Sequence, residues 1–323
     1  MMIAPGGYPL GVLPSPADER DYRFPVYGRV LKAADLPVEY TCDGIHYVDD
    51  QGAVSSCVAH SIGLIKDWQE YAETGLLAKH SRQFIYAYRL NQFFYKGPGM
   101  IPREALSTLR KWGVPRESVW PGIAEFGKEV WPGDELTVRA QGAPFKIETY
   151  VSIDHRYIPE MKSAIFTTGP ILYCVPIHTN FQPDSEGRIP LPSGTLRGYH
   201  AMTVIGWKHG FWLVQNSWGK AWGLNGRCWI PWDFPALEVW GVTDATTERV
   251  KTVLLIEDNH TLWVDGNPVE VDRAPKIIDD RFYGVAKHIF EQIGGRVVEW
   301  DRYADGPDAG KMWAKFEIME SPW

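Results

Sequence analysis

Gln51-Gly52-Ala53-Val54-Ser55-Ser56-Cys57-Val58-Ala59-His60 is the stretch of this 323-residue chain from which the fold can be read. It delivers a cysteine to the first turn of a helix. Ser55 and Ser56 are good N-cap residues. Val58, Ile62, Ile65, Trp68 and Tyr71 recur near helical spacing, and Gly75 suits the stop. The pattern predicts a helix over 55–75. A helix N-terminus gathers unpaired N–H groups and about half a positive charge. Both favour thiolate over thiol, so Cys57 is placed as a nucleophile. Gln51, on the approaching loop, carries an amide able to donate to the same oxygen as the Cys57 N–H, which would make an oxyanion hole.

A thiolate nucleophile needs a base, and the base needs an orienting group. Downstream runs Gly198-Tyr199-His200-Ala201-Met202-Thr203-Val204-Ile205-Gly206-Trp207, then Trp212-Leu213-Val214-Gln215-Asn216-Ser217-Trp218-Gly219. His200 starts one expected strand and Asn216 ends the next, so a hairpin sets them side by side. The Asn216 amide oxygen can accept the imidazole N–H and fix its tautomer, and Trp218 can shield that bond from water.

These residues resemble the papain-like cysteine peptidases over about residues 40–240. Gln51 to Cys57 match the family's Gln-Gly-x-x-x-Ser-Cys, and His200 to Gly206 its His-Ala-x-x-x-x-Gly. Asn216, Ser217, Trp218, Gly219, Trp222, Gly223 and Gly226 match Asn-Ser-Trp-Gly-x-x-Trp-Gly-x-x-Gly. The resemblance implies an α+β, two-part fold, helical on one side and an antiparallel β-barrel on the other. It also implies peptide hydrolysis through a thioester, with Cys57 as nucleophile, His200 as acid/base, Asn216 as orienter and Gln51 as oxyanion donor. For substrate it implies a wall at Gly99, Met100, Ile101 and Pro102, with Cys174, Tyr199 and Trp218 bordering the site. No cofactor and no metal are implied. Val58 stands where the family usually has Trp or Tyr, Ser55 where Gly is usual, and Val54 where a disulfide cysteine is common. The pattern is closer to bacterial members, whose short proline-rich leader carries an Asp-x-Arg-Asp-like element; Asp18-Glu19-Arg20-Asp21 corresponds here.

Outward from this centre, Pro5, Pro9, Pro14, Pro16, Pro25 and Pro37 forbid a long helix in residues 1–40, which read as an extended leader lying over the cleft. Helical patterns run over 81–95 and 103–111. Short apolar runs at 145–152, 171–177, 201–207, 211–216 and 227–230 read as antiparallel strands. The peptidase domain is expected over 41–246. Residues 250–323 form a separate small module, with strands at 252–256, 261–264 and 296–300. A hairpin is expected at Asp265-Gly266 with its return strand at 268–271, and a helix over 280–293. Thr261-Leu262-Trp263-Val264-Asp265-Gly266-Asn267-Pro268-Val269 and Val297-Val298-Glu299-Trp300-Asp301 resemble the N-terminal-like domain of copper amine oxidases, an accessory of bacterial surface proteins and not its copper-binding part.

The net charge of −7 and the absence of a Lys/Arg run argue against nucleic acid as a partner, and no stretch has the apolar length of a membrane span. Four cysteines, 42, 57, 174 and 228, lie too far apart for a zinc cluster. Cys42 and Cys228 read as packing residues and His60 as a satisfied core histidine. The expected partner is a peptide or protein, with a cell-surface or wall partner for residues 250–323. The N-terminus shows no Sec signal, which leans toward the cytoplasm. Two other readings stay open. One is a wall-peptide hydrolase or transpeptidase tethered by the C-terminal module. The other is a non-enzymatic binding or structural protein whose papain-like site is occluded.

Overall fold

The computed structural model describes residues 2–19, 21–45, 47–92, 97–125 and 127–244, and seven strands between 251 and 318. It divides into two compact units, Met1–Ala245 and Thr246–Trp323.

The first unit is α+β. Its helices are α1 Phe24–Tyr27, α2 Cys57–Thr74, α3 Arg82–Gln92, α4 Pro102–Trp112, α5 Glu135–Gly142 and α6 Ile158–Thr168. Its strands are β1 Tyr40–Thr41, β2 Ile147–Ser152, β3 Ile171–His178, β4 Leu196–Lys208, β5 Phe211–Gln215, β6 Arg227–Pro231 and β7 Glu238–Asp244. All seven belong to one antiparallel sheet, ordered β2-β7-β3-β4-β5-β6, with β1 on β4.

Helix α2 organises the unit. Its residues are buried without a break from Cys57 to Asp67, so it has no solvent face over its first three turns. On one side Val58, Ile62 and Ile65 join Phe84, Tyr86, Leu106 and Leu109 of α3 and α4 in a helical core. On the other, α2 meets β4, where Thr203 Oγ1 reaches the Ser61 carbonyl. A second core, rich in Trp207, Trp212, Phe181 and Phe234, fills the sheet side. Each such aromatic side chain removed from water contributes on the order of 2–3 kcal/mol. Gly75 stops α2 in the left-handed region expected of it (φ 70°). Ser56 occupies the N-cap, but its hydroxyl reaches the Val54 carbonyl at 3.4 Å and makes no cap bond.

The strand expectations at 145–152, 171–177, 201–207, 211–216 and 227–230 correspond to β2 to β6. Five elements of this unit were not anticipated: α1, α5, α6, β1 and β7. Strand β7 lies inside the sheet, between β2 and β3, but Gly241 and Glu238 dilute its apolar alternation. The leader has no helix longer than the single turn α1, as its prolines dictate.

The second unit holds β8 Lys251–Ile256, β9 Thr261–Val264, β10 Asn267–Glu270, β11 Lys276–Ile278, β12 Arg281–Tyr283, β13 Arg296–Arg302 and β14 Met312–Ile318. Five of them form a sheet, β10-β9-β8-β14-β13. Val264 faces Asn267 in the β9–β10 register, so the hairpin forms with the two-residue link that Asp265-Gly266 predicts. The helix expected over 280–293 is corrected at its start. Arg281–Tyr283 is a strand, with Phe282 opposite Ile277. Ile277, Ile278, Phe282 and Tyr283 are residue types that favour strands, and that preference outweighs helical spacing there. The remainder of that span lies outside the described residues.

Candidate active site

Three pieces of chain meet at Cys57. The first is the loop before α2, which is zipped to the segment after β5. Gln51 N–H donates to the Ser217 carbonyl at 2.9 Å, Gly219 N–H donates to the Asp49 carbonyl at 3.0 Å, and Ser217 Oγ donates to Gln51 Oε1 at 2.7 Å. The second is the N-terminus of α2, which carries Cys57. The third is β4. Backbone N–H groups of Ala201, Gly11, Val58 and Cys57 itself are directed at the Cys57 sulfur, which puts the peptide after His200 against it.

His200 is fully buried. Its Nε2 lies 2.7 Å from Asn216 Oδ1, which also accepts from Ser217 N–H at 2.8 Å. The Asn216 oxygen therefore faces two donors, and the imidazole carries its proton on Nε2. His200 Nδ1 has no hydrogen-bond partner among the described residues. Trp218 stacks on the His200 ring with centroids 4.5 Å apart. Cys57, His200, Asn216 and Gln51 thus come together in one buried cluster.

The leader crosses this cluster. Tyr8 stacks on Trp218 at 4.5 Å and nearly parallel. Gln51 Nε2 donates to the Pro9 carbonyl at 3.0 Å and to the Val54 carbonyl at 2.8 Å. Gly11 passes so close to Cys57 that a Cβ there would stand 3.1 Å from Sγ and 2.3 Å from the Ser55 carbonyl oxygen. Val12 N–H donates to the Tyr199 carbonyl at 3.3 Å. Met100 N–H donates to the Gly11 carbonyl, and Leu13 N–H donates to the Met100 carbonyl, in parallel pairing. Gly99, Met100 and Pro102 are buried and Ile101 half-buried along this wall, and Tyr199 is half-buried opposite. Cys174 is fully buried on β3, next to Ala201 in register. Farther along, Arg103 Nη1 at the start of α4 holds Asp21 at 2.8 Å and Asp18 at 3.9 Å. This is the charged cluster noted in the sequence.

Under the leader, burial opposes the thiolate that the helix N-terminus favours. Burial pushes the Cys57 thiol up to about 11 despite the N–H groups aimed at it. Burial likewise pushes His200 down to about 4 against the pull of Asn216. Both groups are neutral under the leader, because desolvation here exceeds what a helix terminus offers.

Sequence reading did not reveal a second polar cluster, which ties the loop before α2 to α2 and α3. Asp49 Oδ2 accepts from Arg82 Nε at 2.8 Å and pairs with His60 Nδ1 at 3.1 Å, while Lys79 Nζ lies 2.8 Å from Oδ1. Arg82 Nη2 pairs with Asp67 at 2.6 Å, and Asp67 also takes His80 Nδ1 and the Tyr47 hydroxyl. Gly63 admits the guanidinium: a Cβ there would stand 2.9 Å from it. Adjacent acids before Gln51 were the available signal, but no spacing rule links them to residues 67 and 82. Among the described residues, the grouping with metal-ligand geometry is Glu70, Glu73 and Asp244. Lys66 Nζ, 2.8 Å from Glu70 and 2.5 Å from Asp244, already brings a cation there.

The family profile of the papain family cysteine proteases matches residues 36–233. The chain belongs to the papain family. Among curated relatives, the cathepsin B-like cysteine proteinase 1 of Haemonchus contortus is 34% identical over 73 residues, 21% of each chain. An uncharacterized peptidase C1-like protein of Acanthamoeba polyphaga mimivirus is 26% identical over 209 residues, 58% of this chain and 65% of that one. The papain-family chain thus matches about a fifth of the nematode protein's length and just under two thirds of the viral protein's. Its fold is shared with xylellain, a cysteine protease from Xylella fastidiosa. There the TM-score is 0.64 at 23% identity, covering 73% of this chain and 96% of that one. The proform of the ragweed cysteine protease Amb a 11 aligns at a TM-score of 0.56 and 20% identity, over 75% and 70% of the two chains. No helix among the described residues is long and apolar enough to cross a membrane.

Proposed function

We propose that this papain-family protein is a cysteine endopeptidase held latent by its own leader. The buried His200–Asn216 pair beside Cys57 carries the reading. With Nε2 committed to Asn216, Nδ1 is the nitrogen left to exchange a proton with the thiol. Once the leader leaves, water returns and Cys57 passes its proton to His200. The thiolate attacks a peptide carbonyl carbon, and the resulting oxyanion is held by Gln51 Nε2 and the Cys57 N–H. Collapse breaks the C–N bond, the imidazolium protonates the departing amine, and a thioester remains. Water, deprotonated by His200, hydrolyses the thioester and restores the thiol.

The leader's direction would keep it from being cut. Its Pro9 carbonyl occupies the Gln51 donor, and its later residues, Gly11 to Leu13, lie on the Gly99–Pro102 wall. By the family resemblance that wall takes residues preceding the scissile bond. The leader therefore runs opposite to a substrate.

The test is labelling with an epoxysuccinyl thiol-peptidase probe, with the adduct located by mass. The Gly11→Ala chain, whose added methyl cannot share space with the Ser55 backbone, is expected to label at Cys57. Cys57→Ala in the same background is expected not to. If the opened chain fails to label, the site is unassembled and the binding-protein reading takes over.

For the second unit we infer an accessory role, supported by its separate sheet and its resemblance to the copper amine oxidase N-terminal-like module. A pull-down on bacterial walls compares chains with and without residues 250–323. Equal binding by both removes the tether.

A further inference from the structure

We propose that His60, anchored by Asp49, is a positioning residue for the Asn216–His200 pair and acts through one water molecule held between His60 Nε2 and Asn216 Nδ2. This inference rests on the peptidase reading of Cys57 and His200 and extends it to groups outside the sequence motifs.

Two buried polar atoms carry the argument. His60 is 6% exposed and Asn216 is 3% exposed. His60 Nε2 and Asn216 Nδ2 have no hydrogen-bond partner in the protein among the described residues. Leaving such atoms unpaired costs about 1–3 kcal/mol each, so a folded protein normally satisfies them. Both residues line the same small cavity, together with Asp49, Ser61, Leu64, Thr203, Gln215 and Ser217. Its volume is about 10 Å³, roughly the room one water needs in a polar site.

The donor and acceptor senses agree. Asp49 Oδ2, 3.1 Å from His60 Nδ1, holds a proton on that nitrogen. Arg82 and Lys79 on the same carboxylate keep it ionised and well below the usual carboxylate range, although burial opposes this. In neutral His60 the other nitrogen, Nε2, is then an acceptor. Asn216 Oδ1 faces His200 and Ser217 N–H, so Nδ2 is a donor. One water can donate to His60 Nε2 and accept from Asn216 Nδ2, whereas the two groups cannot satisfy each other through a flipped amide. A flip would turn Nδ2 toward the His200 N–H and lose the bond at 2.7 Å. The chain Asp49–His60–water–Asn216–His200 therefore fixes the amide's orientation and, through it, the imidazole tautomer.

Two substitutions separate bracing from packing. His60→Phe keeps the ring's bulk and removes the acceptor. His60→Gln places an amide near the Nε2 position. Both leave Asp49 paired with Arg82 and Lys79. In the otherwise unaltered 323-residue chain, nitrogen-15 histidine labelling gives the His200 Nε2–H signal and its exchange with water. We expect exchange at least tenfold faster in His60→Phe and near the original rate in His60→Gln. In the Gly11→Ala background, His60→Phe is expected to lower kcat about three- to tenfold at unchanged KM, with rescue by Gln. Unchanged exchange in His60→Phe overturns the proposal. Equal losses in both variants, tracking a lowered melting temperature, overturn it as well, because that is a packing effect. If Gly11→Ala shows no Cys57-dependent hydrolysis, the peptidase reading fails, while the exchange measurement still decides the brace.

Discussion

Two buried sets of titratable groups flank α2, and burial acts on them in opposite ways. At the cleft, Cys57 and His200 are both neutralised, the thiol up to about 11 and the imidazole down to about 4. In the neighbouring set, Asp49 stays well below the usual carboxylate range and Arg82 well above its ordinary value. Both sets are buried; the partners differ. Asp49 and Asp67 face Arg82 at 2.8 and 2.6 Å, and paired opposite charges offset the loss of water. His200 has a neutral amide, that of Asn216, as its hydrogen-bond partner and no carboxylate beside it among the described residues. The cleft is covered by residues 8–12 of the leader, the flank by the core itself. A site covered by the leader and one enclosed by the core therefore have opposite electrostatic signatures.

The largest effect should come from breaking the strut. Arg82→Ala leaves Asp49 and Asp67 buried with their main cation gone, and is expected to destabilise the first unit by ~3–5 kcal/mol. Equilibrium denaturation measures this. A loss below about 1 kcal/mol would mean the flank is wetter than its burial indicates and would erase the contrast.

Next comes acid. His200 sits near 4 when folded, against an ordinary value near 6.5. The unfolded chain takes up that proton first. The stability contributed is whole above about pH 6.5 and is lost as pH falls from there toward 4. At about 1.4 kcal/mol per unit this amounts to roughly 3 kcal/mol. Asp49 has the same sign but a lower window, below its ordinary value of 3.8. Melting temperatures between pH 7 and pH 4.5 should fall for the complete chain and fall less for a chain beginning at Ala17, in which His200 regains solvent. Equal slopes would place the acid-labile group elsewhere.

Much of this was legible in sequence, and unevenly. The Gln51–Cys57, His200 and Asn216–Gly226 blocks announced the fold because they gather function and packing into contiguous runs. Trp218, for example, stacks on both His200 and Tyr8. The strut was not legible, because Asp49, Asp67, Lys79 and Arg82 meet only through tertiary packing. Nor did any pattern in residues 8–13 show that Gly11 would lie against the thiol. That follows from the shape of a cleft built by α2 and β4. Strand β7 was missed for its interior glycine, and Arg281–Tyr283 was misjudged because a three-residue strand has no period to read.

The strap itself gives the third effect. Gly11→Ala places a methyl 2.3 Å from the Ser55 carbonyl oxygen, in a loop held by α2 and by Ser217. Forcing a methyl into such a contact costs ~1–3 kcal/mol. The rate of Cys57 labelling should rise about fivefold or more. An unchanged rate would mean that the leader opens fast enough not to matter, and the two buried sites would then differ less than their geometry suggests.

The smallest effect is at the latch. Arg103 joins α4 to Asp21 and Asp18, and all three side chains are partly exposed, so solvent screens much of the attraction. Arg103→Ala should release the leader by no more than ~0.2–1 kcal/mol, a rise in labelling of about two- to fivefold at most. Raised salt should mimic it in the unaltered chain and add nothing in Arg103→Ala, because the Debye length shrinks to about 3 Å at 1 M. Salt has no comparable purchase on Asp49 and Arg82, which are shielded by the core. If salt were to weaken both sites alike, the distinction between a removable cover and a permanent strut would fall. If it loosens only the leader, the charged cluster at 18–21 is the clasp and the stacking of Tyr8 on Trp218 supplies most of the hold.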